Sequence, residues 1–543
     1  MPMSLLHWID RNIMSLGREM RLSYLPPLMV YAAYGISGLT SIVGTFFVKD
    51  YLGLSASFLA ALGFWAGIPW ALKMPIGHLV DLLWRWKSWL IGIGALLLAV
   101  SLGIMAALIG QREAMTAIMP AEVWFVLSVI LAPVGYVIQD AVADAMTVEA
   151  VPRVDDRGQP FDETTRKLMH ATMQTLGRVA IIAGGILVAL VNVYAFSGVE
   201  GLPQAEIVRL YQNIYLMGLV VPVVSVLGVG LAWWIQRRQL SRLMREGFSR
   251  EDARRLVLLH DESVETRPNW WILGGSLGFV VFTFVVGLGG FPYSEEIVFI
   301  GSMAIVLFLM AKLVQELEAD KRFTLVGTAV VVFIFRAIPG TGPGTTWWMI
   351  DELKFDQQFL SVLSLIGSTL TLFGMFIFRR FMAERSIAYV VGFLTLVGTI
   401  LSLPVVSMYY GLHEWTARLT GGVVDARFIA LIDTALESPL GQISMIPMLV
   451  WIANSAPAHL KATFFAVMAS FTNLALSLSQ LGTKYLNDLY VVNREVKDPA
   501  SGVIQTPADY SQLGDLLIAQ LLLGLALPFV AILFARVTRF KSA

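Results

Sequence analysis

The chain has 543 residues, 57% of them hydrophobic and 14% charged, with a formal net charge of zero. A soluble domain carries about 25% charged residues, so this composition excludes a soluble globular enzyme, and the balanced charge excludes a nucleic-acid partner. Cysteine is absent and the six histidines (7, 78, 170, 260, 413 and 459) lack metal-ligand spacing, which excludes disulfides, thiolate chemistry and a metal site and implies no cofactor.

Residues 1–23 read as a short amphipathic cytoplasmic segment without the apolar core and small-residue cleavage site of a signal peptide. Apolar runs of about 20 residues, the length that crosses a bilayer, then follow one another to the end. They predict fourteen spans, at 24–48, 56–84, 88–110, 121–150, 168–196, 209–235, 270–290, 295–317, 323–349, 357–382, 386–411, 427–454, 460–488 and 513–537. Of the 39 Lys and Arg, 27 fall on one side of this arrangement, nine on the other, and Lys73, Arg178 and Arg336 inside spans. The positive-inside rule therefore places both termini in the cytoplasm.

The Arg-rich stretch 236–268 predicts a cytoplasmic linker after a six-helix half at 24–235. The segment around Asp50 and Phe58-Leu59 reappears around Asp351 and Phe359-Leu360, so the first span is repeated at the ninth. That repeat makes 323–543 a second six-helix half and 269–322 an inserted two-helix hairpin. The fold class expected is an all-α polytopic membrane protein of fourteen spans.

A charge at membrane depth costs about 2.5–3.5 kcal/mol on insertion scales and marks a functional candidate. Asp140 and Asp144 lie one turn apart within the fourth span. Lys73 precedes Trp84 by eleven residues, Asp140 precedes Ala150 by ten, and Arg178 follows Leu168 by ten. At 1.5 Å of rise per residue each sits roughly 15 Å from the cytoplasmic end, near the middle of a hydrocarbon core about 30 Å thick. Arg336, thirteen residues after Phe323, sits roughly 20 Å along its own span.

In a functional reading, Lys73, Arg178 and Arg336 hold an anionic substrate, Arg being suited to bidentate carboxylate binding. Asp140 accepts hydrogen bonds from substrate or carries a coupling proton, and Asp144, a turn nearer the cytoplasm, relays it. A Lys73–Asp140–Arg178 network that only holds helices together satisfies the same residues. Asp433 and Glu437, one turn apart near the outer third of the twelfth span, suit either an outer gate or helix–helix hydrogen bonding. Gly35, Gly38, Gly44 and Gly184-Gly185 read as helix-packing sites. The Trp-rich helix ends, Trp347-Trp348 included, read as interfacial anchors, with stacking on a flat ligand the alternative for that pair.

After the second span, Gly77-His78-Leu79-Val80-Asp81-Leu82-Leu83-Trp84-Arg85-Trp86-Lys87 resembles the cytoplasmic signature loop of the major facilitator superfamily. The resemblance implies the major facilitator fold and a conformational latch made of Gly77, Asp81 and Arg85, with Asp81 docking near Ala458–Lys461.

Four further segments resemble the folate–biopterin transporter family. They are Pro69 to Gly77; Gln139 to Glu149, with its D-x-x-x-D-A-x-x-x-E pattern; Pro339-Gly340-Thr341-Gly342-Pro343 with Asp351-Glu352-Leu353; and Leu440-Gly441-Gln442 with Met445 and Pro447. The resemblance implies a non-enzymatic, monomeric symporter in the bacterial inner membrane. It would move folate, pterin or a related anionic heterocycle with protons by alternating access. Muropeptide and nucleotide-thioester permeases carry a similar Q-D-x-x-x-D-A helix, and a non-transporting assembly factor on the same fold is the remaining rival.

Overall fold

A computed structural model of the protein describes residues 14–71, 73–83, 86–151, 161–251, 270–315, 319–378, 385–441, 461–497 and 504–538. The principal helices are α1 (Leu25–Ile36), α2 (Ser41–Tyr51), α3 (Ala56–Ala71), α4 (Lys73–Leu82), α5 (Lys87–Gly110), α6 (Ala121–Ala150), α7 (Glu163–Ala195), α8 (Gln204–Gly218) and α9 (Val220–Arg245). They continue with α10 (Trp270–Leu288), α11 (Ser294–Gln315), α12 (Ala319–Arg336), α13 (Gly344–Asp351), α14 (Gln357–Ile377), α15 (Ile387–Tyr409), α16 (Ala426–Glu437), α17 (Lys461–Leu489) and α18 (Leu513–Val537). A short antiparallel ribbon, β1 (Val496–Lys497) with β2 (Ile504–Thr506), lies between α17 and α18.

Among the described residues eight helical stretches are long and apolar enough to cross a membrane: Leu22–Tyr51, Ser88–Gly110, Ala121–Thr147, Thr172–Gly201, Gln204–Arg245, Gln357–Ile377, Ile387–Tyr409 and Leu513–Val537. The protein is therefore an integral, multi-pass membrane protein. An almost wholly helical chain is what a bilayer demands, because helices satisfy their backbone polar groups internally.

Helices α1 to α9 pack among themselves, as do α12 to α18. The two groups meet along two seams, α3 against α17 and α7 against α14. The pair α10–α11 packs on α3, α4 and α17, so it sits beside the first seam. Glu295 at the start of α11 accepts from Trp65 Nε1 at 3.2 Å and pairs with Lys484 at 3.4 Å.

Small residues set how closely the helices approach. A Cβ on Gly35 of α1 would lie 2.1 Å from the Ile181 carbonyl oxygen of α7, and one on Gly184 would lie 2.9 Å from the Ala32 oxygen. Gly38, by contrast, faces open space, so it is not a packing site. Because backbone cannot yield as a side chain does, Gly35→Leu is expected to destabilise the protein by about 1–3 kcal/mol, read as a fall in the melting temperature of the purified chain. An unchanged melting temperature would contradict the close α1–α7 contact.

The ninth predicted span, 323–349, is not one continuous helix. Pro339 and Pro343 lack N–H donors and Gly342 takes φ of +71°, so α12 stops at Arg336 and α13 restarts at Gly344. The exposed backbone is satisfied by a polar stripe on α17. Thr483 Oγ1 accepts from Gly340 N at 2.8 Å, Ser479 Oγ donates to the Ile338 oxygen at 2.6 Å, and Asn487 Nδ2 donates to the Thr341 oxygen at 3.3 Å. The twelfth predicted span is described as α16 and a short turn to Gly441; its remainder, Gln442 and Met445 with it, lies outside the described residues.

Candidate functional site

The charges at depth converge. Asp140 and Asp144 lie one turn apart on one face of α6, and Lys73 opens α4 beside it. Lys73 Nζ lies 2.6 Å from Asp140 Oδ2 and 2.7 Å from Asp144 Oδ2, so one ammonium bridges both carboxylates. Tyr31 of α1 donates its hydroxyl to Asp144 Oδ1 at 2.6 Å. Gln174 of α7 donates to Thr147 Oγ1 at 3.2 Å, and that hydroxyl donates to the Asp144 carbonyl at 2.6 Å. Four helices thus hold the pair, while Lys73, Asp140 and Asp144 each keep part of their surface exposed. Charge-assisted contacts this short are the strong kind.

Arg178 on α7 forms no ion pair with either carboxylate within 4.0 Å, so the alternative of a Lys73–Asp140–Arg178 network is met only in its Lys73–Asp140 part. Its positive charge still acts on Asp140 through space. Arg336 ends α12 at the helix break, where a cation faces the negative end of the helix dipole, and it interacts electrostatically with Arg178 across the junction of the two groups.

Three side chains that sequence reasoning missed belong to the site or border it. Tyr31 carries no sequence signal as a carboxylate partner, since it is one aromatic in an apolar helix. Trp70 and Tyr136 precede Lys73 and Asp140 by one turn each, and that spacing was readable. Of the proposed latch, Gly77 lies on α4, Arg85 and most of the docking segment near Ala458–Lys461 lie outside the described residues, as does the side chain of Asp81. The side chain of Glu149 lies outside them as well.

The model of the BT1 family matches residues 34–541. The chain belongs to the BT1 family. A folate-biopterin transporter of Synechocystis sp. is 23% identical over 509 residues, covering 91% of this chain and 81% of that protein. Among solved structures, a POT family transporter in complex with 5-aminolevulinic acid superposes with a TM-score of 0.58 at 11% identity, covering 96% of each chain. A nucleoside transporter superposes with a TM-score of 0.54 at 12% identity, covering 94% of this chain and 99% of that one. This BT1-family chain therefore shares its fold with solute transporters of little sequence similarity.

The end of the BT1-family molecule away from both termini is closed by contacts between the two helix groups. Lys49, at the end of α2 and only 6% exposed, pairs with Asp351 of α13 at 2.5 Å and with Asp50 at 3.4 Å. Asp50 and Asp351 thus meet on one ammonium. Tyr510 donates to Asp351 Oδ2 at 2.6 Å. Burial and the adjacent carboxylate push its hydroxyl up from the usual tyrosine range, so it remains a donor at neutral pH. Arg494, in the segment after α17 and 4% exposed, donates to the carbonyls of Lys49 at 2.7 Å, Leu54 at 2.6 Å and Val48 at 3.0 Å, and to that of Leu52. It caps the C-terminal turn of a helix from the other group, satisfying carbonyls that a helix end leaves without donors.

Trp347 lies beneath that guanidinium, 4.4 Å from its carbon to the ring centre, and is 2% exposed. Trp348 is also buried, against Tyr409. Both tryptophans are therefore core residues, neither interfacial anchors nor stacking platforms. Gln357 of α14 donates to Tyr211 Oη of α8 at 2.7 Å, and Ser57 of α3 donates to Asp488 of α17.

Proposed function

We propose that this BT1-family protein is a secondary transporter for folate, pterin or a related anionic heterocycle, coupled to protons and working by alternating access. The observation that carries the reading is the Lys73 bridge between Asp140 and Asp144, with all three side chains partly exposed. The folate-biopterin transporter of Synechocystis sp. supports the substrate class.

Lys73 and the nearby Arg178 together balance the two carboxylates. Protonating one carboxylate leaves the site with a net positive charge, which attracts an anion; releasing the proton restores neutrality and lets the anion leave. This linkage gives symport without any further group. Arg336 extends the positive field from the second helix group. Closure by Lys49, Asp351 and Arg494 corresponds, on the positive-inside orientation, to an outer gate shut with the site open inward.

The same reading takes the chain as fourteen spans: two six-helix halves, 24–235 and 323–543, joined by the linker 236–268 and the hairpin 269–322, with both termini cytoplasmic in a bacterial inner membrane. The protein acts as a monomer, and Gly77, Asp81 and Arg85 form the latch of the opposite, outward-open state. Meeting of Asp50 and Asp351 on Lys49 supports the internal repeat, since equivalent positions near a two-fold axis approach each other.

The test is uptake of labelled folate and of free pterin into right-side-out vesicles, with and without an inward proton gradient. Accumulation driven by the gradient is expected. No accumulation of either compound under both conditions sinks the substrate assignment, and accumulation insensitive to the gradient sinks the proton coupling.

A further inference from the structure

One turn outward from the charged cluster, on α1, α3 and α6, stands a tier of aromatic rings. Trp70 precedes Lys73 by three residues, Tyr136 precedes Asp140 by four, and Tyr34 follows Tyr31 by three. The helices run in opposite directions, so all three offsets point the same way, by about 5 Å of helical rise. Tyr34 packs edge to face against both partners, 5.8 Å from Trp70 at 67° and 5.4 Å from Tyr136 at 81°.

The trio keeps an open side at Tyr34. Helix α1 is covered on three sides: Gly228 of α9 packs against Pro26 and Met29, Gly184 of α7 against Ala32 and Gly35, and α6 reaches Tyr31 and Tyr34. What remains is a polar stripe, Tyr34, Ser37 and Ser41, and Tyr34 on it is 39% exposed. Trp70 is held toward the second helix group, whose Asn473 donates to the Trp70 carbonyl at 3.1 Å. Among the described residues neither the Tyr34 hydroxyl nor the Trp70 indole N–H has a hydrogen-bond partner. Tyr and Trp polar groups usually find one when buried; here both stay available to a ligand.

We propose that Tyr34, Trp70 and Tyr136 form an aromatic subsite that receives the flat ring of a heteroaromatic anion, one turn outward from Lys73 and Asp140. The inference rests on the transport function proposed above and adds to it the residues that select a planar ring. A bicyclic heterocycle stacked on this tier reaches Asp140 with an N–H edge, because the offset of about 5 Å between tiers is comparable to the full length of two fused six-membered rings. The Tyr34 hydroxyl and the Trp70 indole then supply donors to ring or carbonyl acceptors. Recognition divides accordingly: the rings read flatness and the charges read the anionic tail.

The experiment measures binding of three probes to the purified full chain by ligand-dependent thermal shift: folate, free pterin and p-aminobenzoylglutamate, which keeps the anionic tail and lacks the fused pterin bicycle. Trp70→Leu and Tyr34→Leu are expected to weaken folate and pterin roughly tenfold, the size of one lost aromatic contact, and to leave p-aminobenzoylglutamate within about threefold. Trp70→Phe and Tyr34→Phe keep a ring and retain pterin binding within about threefold of wild type; they serve as the variants of record if a leucine variant does not fold. Equal weakening of all three probes, or no weakening of pterin in the leucine variants, overturns the aromatic subsite while leaving the transport reading intact. Failure of wild type to bind both folate and pterin overturns the transport reading and the subsite with it.

Discussion

Asp140→Asn is expected to abolish gradient-driven accumulation in vesicles while the protein still folds and still exchanges substrate down its own gradient. The reason lies in the bridged geometry. Lys73 reaches Asp140 at 2.6 Å and Asp144 at 2.7 Å. Removing the Asp140 charge therefore leaves the ammonium paired with Asp144, which is itself held by Tyr31. A buried charge that keeps one partner avoids the penalty of about 3–5 kcal/mol that follows when a pair is broken outright. Coupling has no such reserve. If proton binding at Asp140 is what turns a neutral site into one that attracts an anion, an amide at that position holds the site permanently in the attracting state. Gradient-driven uptake is expected to fall by about 100-fold, in line with the loss of a positioned acid–base group, with counterflow retained. Wild-type accumulation by the Asn variant would remove Asp140 from the coupling mechanism. Lys73→Met is the contrasting case: it leaves two carboxylates one turn apart without their shared cation, and loss of expression or a large drop in melting temperature is expected.

Arg494→Ala is expected to open the end of the molecule where the two helix groups meet over Trp347. The side chain donates to four carbonyls at and beyond the C-terminal end of α2 and covers Trp347. A hydrogen bond to a charged group contributes about 1.5–3 kcal/mol, and orphaned buried acceptors add their own desolvation penalty. Truncation is expected to weaken closure by ~3–5 kcal/mol, enough to invert a two-state equilibrium of ordinary size. The absence of cysteine makes the measurement direct. A single cysteine in place of Ser41, on the exposed stripe of span one, reports access to the interior through its rate of reaction with a membrane-impermeant maleimide. Faster labelling from outside in the Arg494→Ala background is the expected result; identical rates in the two backgrounds would show that the arginine does not hold the gate. Arg494→Lys should behave nearly as Ala does, because a point ammonium cannot reach carbonyls spread around a guanidinium fork.

Much of this architecture was legible in the chain. The bilayer imposes both a length and an internal hydrogen-bond rule on every crossing, so apolar runs and the asymmetry of Lys and Arg sufficed to expect an all-helical membrane protein. The same rule made Lys73, Asp140, Asp144, Arg178 and Arg336 conspicuous, since each is costly where it stands. The rise per residue put three of them at one depth.

Depth is a property of position along a helix, but pairing depends on rotation about the helix axis and on which helices are neighbours. Only tertiary structure decided that Lys73 spans both aspartates, that Tyr31 completes the cluster, and that Arg178 stands back from it. Nor did hydropathy reveal the break at residues 337–343, because averaging over a span-length window conceals seven residues of irregular backbone; α17 had to be in place to satisfy that backbone. Arg494 read as one more loop cation, and its role arises from a chain path that no periodicity constrains. Trp347 and Trp348 show the limit from the other side: tryptophan near a span end suits the lipid interface by composition, yet the buried guanidinium packed on Trp347 made that position core. The sequence by itself determined which residues the membrane cannot tolerate alone; the packing of helices around them decided which partners make them tolerable.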